Sequence, residues 1–189
     1  MPAAMRGFVL AACALLVACA GSPPLKDSSG KPVPVPAAGF KLREAQVVWQ
    51  PHADYQVRGS VRARDQKALD TFVPKVTADM EKMYALLKTG AAPDLAAALA
   101  QRGVTKGPLQ TIELRPLYGY FEQAGSGSGI VLQVTIADIG TGQTWVHKVK
   151  ADTGMQVINP LVGPSPDSSY VKGFVGGLIG IFREAALLP

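Results

Sequence analysis

Side-chain chemistry in this 189-residue chain is offered at four places: two cysteines, two histidines, a serine–glycine loop and a cluster of cations. The histidines are acid–base candidates. His147 stands beside Trp145 and Lys148, and His52 follows Pro51. General catalysis needs a partnered base and a nucleophile that faces substrate. Neither a Ser-His-Asp spacing nor a carboxylate pair accompanies either residue, so both read as structural or surface histidines. The loop Gly125-Ser126-Gly127-Ser128-Gly129 suggests a phosphate cradle, but a cradle needs a helix N-terminus after it, and here a strand pattern follows. It is not a nucleophile elbow either, because neither serine has glycines two residues away on both sides. A hairpin loop is the expectation. Arg58, Arg62, Arg64 and Lys67 form the densest basic stretch, interrupted by Asp65. A solvated edge is the default; the alternative is contact with lipid phosphate or glycan, whose oxygens suit the arginine fork.

Of the two cysteines, Cys19 has the more informative surroundings. Arg6 and the terminal amine are followed by an apolar run over residues 7–18, with small residues Ala18 and Ala20 around the thiol. That is the order of a secretory signal. The ending Leu16-Val17-Ala18-Cys19 resembles the lipobox of bacterial lipoproteins. The resemblance implies removal of residues 1–18, a diacylglyceryl group on the Cys19 sulfur and acylation of its new amine, palmitate-type chains included. A membrane span would need about 20 apolar residues, and Gly21-Ser22-Pro23-Pro24 stops the run short. A second match, Leu10-Ala11-Ala12-Cys13, would leave too short an apolar region before the cut. Each buried CH₂ contributes about 0.8 kcal/mol, so two or more chains anchor stably. In this family an aspartate after the cysteine retains the protein at the inner membrane. Ala20 stands there, which implies the periplasmic face of the outer membrane in a Gram-negative host.

Compartment and composition then limit the partners. With Cys13 removed and Cys19 acylated, no thiol pair remains for a disulfide. Two scattered histidines do not make a zinc site, and no metal or cofactor is expected. A formal charge of +5 is modest. Nucleic acid is excluded by location, leaving anionic envelope material or another envelope protein as the counterpart.

The elements that must position these groups read as follows. Residues 19–38 form the lipidated cysteine and a tether in which Pro32-Val33-Pro34-Val35-Pro36 favours extended polyproline II. Residues 39–189 form one domain. A strand is expected over residues 40–49, ended by Pro51, and residues 54–63 are ambiguous. Leu69, Phe72, Val73, Val76, Met80, Met83, Tyr84 and Leu87 recur at helical spacing, with Pro74 either a kink or a first turn and Gly90 as the stop. A second helix is expected from Pro93 to Arg102, capped by Gly103. Ile112 to Phe121 reads as a strand with an edge or bulge at Pro116. The alternation of Ile130, Leu132, Val134 and Ile136, then Trp145 and Val149, completes an antiparallel meander. Asp167 or Ser168 caps a last helix running to about Ala186. The expected fold is α+β, order β-α-α-β-β-β-α: a mainly antiparallel sheet of about four strands with two or three helices on one face.

The last helix carries Gly173, Gly176, Gly177 and Gly180, each costing roughly 1 kcal/mol against alanine in a helix interior. Close backbone packing would offset that, on the domain's own sheet, at an interface with a partner or a second copy, or at a bilayer surface. Lys172 and Arg183 bracket too short an apolar core for a span.

Two further resemblances follow. Leu95-Ala96-Ala97-Ala98-Leu99-Ala100-Gln101-Arg102-Gly103-Val104, the strand-turn-strand from Val134 to Trp145, and the ending Ala185-Ala186-Leu187-Leu188-Pro189 are similar to small periplasmic lipoprotein domains of the anticodon-binding-like fold. Penicillin-binding-protein activators, curli-secretion lipoproteins and the N-terminal domain of the Tol-system propeller protein are examples. Gly39-Phe40-Lys41-Leu42-Arg43 is similar to the opening of the lipopolysaccharide-assembly lipoprotein that plugs the outer-membrane translocon, although there the motif adjoins the lipidated cysteine. The expectation is a non-enzymatic, outer-membrane-anchored module that binds a protein partner in envelope assembly or transport. The alternative is direct binding of lipopolysaccharide, phospholipid or peptidoglycan through Arg58–Lys67. An envelope hydrolase using His147 comes third.

Overall fold

The computed structural model describes residues 33–60, 66–122, 127–152 and 167–189. Strand β3 (Thr105–Glu122) is the axis of the sheet. β1 (Glu44–Trp49) and β2 (Val57–Ser60) run parallel to it, end to end along one edge. β4 (Gly127–Asp138) and β5 (Thr144–Asp152) follow antiparallel on the other side. The five-stranded sheet is therefore mixed, not mainly antiparallel with about four strands. The ambiguous stretch supplies the extra strand. Pro51, which has no N–H to give a ladder, separates β1 from β2, and a turn closed by Tyr55 N–H to the His52 carbonyl returns the chain to the edge. The element order is β-β-α-β-β-β-α.

One helix, α1 (Gln66–Ala100), stands where two were expected. Both Pro74 and Pro93 lie inside it, so Pro74 is not in a first turn and Pro93 opens nothing. Each removes one helical hydrogen bond. Packing outweighs that loss, because Val76, Met80, Met83, Leu87, Ala91, Leu95 and Leu99 make an unbroken buried stripe that begins two residues after Pro74 and runs on past Pro93. Gly90 is a contact, not a stop: a Cβ there would lie 3.0 Å from a methyl of Val171. The helix ends where Gly103, at φ +83°, turns left-handed. Gly103 N–H then reaches the Ala100 carbonyl and Val104 N–H the Leu99 carbonyl, the bond pair of a Schellman motif.

Helix α2 (Ser168–Glu184) begins as expected. Asp167 accepts the Ser169 hydroxyl and, at 2.8 Å, the Ser169 N–H, and those bonds, the hydroxyl's first, hold its carboxyl below the usual carboxylate range. Its far end repeats the Schellman pattern, with Ala186 in the left-handed position at φ 53°. Both helices lie on one face of the sheet, side by side and running the same way. Gly90 meets Val171 at one end. At the other, Leu42 N–H reaches the Leu187 carbonyl and Thr105 N–H the Arg43 carbonyl. Ile112, Leu114, Ile130, Leu132, Val134 and Ile136 point into this core.

Pro116 lies in the central strand, and a bulge at Leu117 shifts the register between Pro116 and Tyr118. The extra residue moves the side chains beyond it to the other face. Gly119 therefore pairs inward with Ile130, while Tyr118 and Tyr120 go to the face opposite the helices. The end of the stretch read as tether is also part of the packed structure. Val33 packs against the core, and the Trp145 indole N–H donates to the Pro34 carbonyl at 2.8 Å.

Candidate functional site

The expected site residues divide among several places. Cys19, Arg62 and Arg64 lie outside the described residues, as do Gly125 and Ser126. Lys67 falls in the first turn of α1, and Arg58 is an exposed residue of β2. His52 is a turn residue whose Nδ1 accepts the Asp54 N–H at 3.0 Å. His147 is on the inner face of β5, 4 % exposed, with its ring centroid 5.5 Å from that of Trp145. It is a buried residue of the sheet's inner face. Among the described residues no three of His, Cys, Asp and Glu come together as a metal site, and no helix is long and apolar enough to cross a membrane.

The most buried polar cluster belongs to the motif at residues 39–43. Gly39 takes φ +82°, which lets Phe40 and Leu42 alternate into the core. Arg43 turns back, and its guanidinium lies 3.1 Å from Asp138 Oδ2. Gln110 links the rest: its amide nitrogen donates to Asp138 Oδ2 and to the Lys41 carbonyl, both at 2.8 Å, and its oxygen accepts Arg43 N–H at 3.0 Å. The backbone N–H of Thr141, then Gln110 and Arg43, hold the Asp138 carboxyl down at about 2. With every strong acceptor position used, this carboxylate is a clamp and not an acid–base group.

A second cluster was not legible as such. Trp49, Tyr55 and Tyr84 cluster where β1 gives way to β2, Trp49 edge-on to Tyr84 at 5.9 Å and Tyr55 tilted against it with centroids 4.4 Å apart. Burial, then the neighbouring Tyr84 and Glu81, push the Tyr55 phenol far above its usual range. Its hydroxyl and the Trp49 indole N–H have no hydrogen-bond partner among the described residues.

On the sheet face opposite the helices, the Arg58 guanidinium sits 4.8 Å from the Tyr118 ring centre and Lys150 Nζ lies 4.1 Å from that of Tyr120. Arg115, Gln133 and Lys148 are neighbours across β3, β4 and β5 on this same face. Arg58 thus joins Arg115 and Lys148, residues distant in sequence. The Pro116 bulge was the signal that would have placed the tyrosines here.

The glycines of α2 lie at the surface. Gly173, Gly176 and Gly180 are exposed, and a Cβ at any of them would meet nothing within 4 Å. Packing on the domain's own sheet therefore does not account for these three; that expectation is corrected. The core takes the opposite face of α2, through Phe174, Leu178 and Phe182. Gly177 is half-buried. Gly176 and Gly180, but not Gly173 or Gly177, line a groove of about 570 Å³ between the two helices. Val175 and Ile179, both buried, lie at its bottom with Ala98; Ala97, Gly176 and Gly180 keep its sides low, and Asp94, Arg102, Lys172 and Arg183 also line it. No ion pair engages these four charges among the described residues. The trough is open to solvent along both helices and is lined by three cations and one carboxylate. No family model matches the chain, and no curated protein or solved structure matches it.

Proposed function

We propose that the chain is a non-enzymatic lipoprotein, anchored through Cys19 to the outer membrane, whose α+β domain binds a protein partner in envelope assembly or transport. The groove between α1 and α2 is where the partner docks. One observation carries this: three glycines are spent on an exposed helix face where nothing among the described residues packs on them. At roughly 1 kcal/mol each against alanine, they weaken the isolated domain and make sense once a second backbone approaches. The anchor and the proline-containing segment after it agree with a domain presented near a membrane. The test is a Gly176→Leu, Gly180→Leu double variant expressed at the level of the natural chain. It should melt no lower than the natural chain, since leucine is the better helix former, and keep its membrane association while failing to complement a deletion strain. Full complementation would sink the reading.

The alternative, direct binding of an anionic envelope component, has its own observation in the Arg58, Arg115 and Lys148 face with Tyr118 beneath it. Lipopolysaccharide or peptidoglycan binding that falls with salt and is abolished by Arg58→Glu with Arg115→Glu would favour it.

A further inference from the structure

We infer that residues 33–38 are a releasable latch: seated on Trp145 they hold the chain at one corner of the domain, and lifted they lengthen the segment before them. The seat lies in the core. Trp145 is 3 % exposed and edge-on to Phe182 of α2 with centroids 6.1 Å apart, and its indole N–H donates to the Pro34 carbonyl at 2.8 Å. A buried donor left without an acceptor is costly, and Pro34 is the acceptor this one has. Val33 adds an apolar contact with the core. Pro34 and Pro36 favour an extended backbone before it docks, so little freedom is lost on seating.

The strap has a loose half and a fixed half. Pro34, Val35, Ala37 and Ala38 are exposed, Val35 at 86 %. Past Gly39, Phe40 and Leu42 are buried, and the backbone of residues 41–43 is bonded to Gln110 and Leu187. Gly39 divides the halves at φ +82°, with open space around it, so the loose half can swing while the fixed half stays. Lifting opens the indole edge to water, which replaces the Pro34 carbonyl, and the donor is not orphaned. The strap crosses the end of the sheet, from Trp145 on β5, past Asp138 at the end of β4, to Gln110 on β3. Opening therefore moves the point where the chain leaves the domain. It also frees six residues, about 20 Å of reach at full extension. The effect on distance from a membrane rests on the proposed anchor at Cys19; the latch itself does not.

Two measurements use the full mature chain with Cys19→Ala and need no membrane. The Trp145 indole N–H, assigned by its loss in Trp145→Phe, is followed by NMR hydrogen exchange at low urea concentrations. It should exchange about tenfold or more slower than a free indole, at a rate that urea leaves unchanged, with the Leu42 N–H slower still. Exchange as fast as a free indole would show no seat, and exchange only through global unfolding would show no independent release; either overturns the inference. A spin label on Val35→Cys should be partly immobilised. Pro34→Gly and Trp145→Phe should each free it while the Leu42 N–H keeps its protection. A label equally mobile in all three chains also overturns the inference. The third measurement takes the lipidated chain on vesicles and reads energy transfer from a dye on Lys88→Cys to a bilayer dye. Trp145→Phe and Pro34→Gly should each increase the mean separation, and an unchanged separation overturns the lengthening. A purified natural chain without lipid on Cys19 would refute the anchor, while a latch shown by the first two measurements stands.

Discussion

Arg43 Nη2 donates to Asp138 Oδ2 at 3.1 Å, and that contact ties the segment before β1 to the turn after β4. Asp138 is almost wholly buried while the Arg43 side chain is largely exposed. The carboxylate is therefore fixed by the fold, and the guanidinium comes to it from the surface.

The pH dependence follows with its sign. The Asp138 pKa is about 2 when folded, against an ordinary 3.8. The ionised form favours the folded state, so its contribution is whole above about pH 4 and is lost as the pH falls through about 2. Asp138→Asn should be less stable than the natural chain at neutral pH, with the gap narrowing on acidification. Urea midpoints taken from pH 6 down to pH 2 would show it. A gap that stays constant would contradict the clamp.

Glycine substitutions should divide by place. Gly173→Ala, Gly176→Ala and Gly180→Ala have open space at the new methyl and should each stabilise the monomer by about 1 kcal/mol. Gly129→Ala should destabilise it strongly, since its Cβ would collide with the Ala151 carbonyl and the Tyr120 hydroxyl. Thermal melts of the four variants separate the two classes.

Ala186 offers a stabilising change at the end of α2. An L-residue in the left-handed region costs roughly 1–2 kcal/mol, which glycine avoids. Ala186→Gly should raise the melting temperature. Ala186→Val should lower it.

Much of this architecture is visible in the sequence because local rules and packing agree. The alternation through Ile130–Ile136 and the caps at Asp167 and Gly103 are examples: each residue satisfies its own backbone and the core together. The single helix α1 was hidden because Gly90 and Pro93 carry strong local stop signals, whereas the Met80–Leu99 stripe that overrides them depends on a sheet formed later in the chain. Gly90 looked like a terminus only because Val171, which needs its missing side chain, is 81 residues away. The Arg58, Arg115 and Lys148 face was hidden for a similar reason. It exists only after a bulge at Leu117 has turned the strand over. The α2 glycines were conspicuous from the start, but which side of the helix they occupy was decided by Phe174, Leu178 and Phe182 entering the core.

The proposed anchor can be tested apart from the fold. Cys19 precedes every described residue, and under the proposed lipidation Cys19→Ala should release a domain with an unchanged melting temperature into the soluble periplasmic fraction. Failure of that soluble form to complement would make placement at the membrane part of the function.

The most direct measurement of the central claim is in-cell photo-cross-linking from two positions, Gly180 in the groove and Lys148 on the opposite sheet face. Protein docking between α1 and α2 gives a discrete protein adduct from Gly180 that disappears with Gly176→Leu, and none from Lys148. Adducts from Lys148 with none from Gly180 would contradict it.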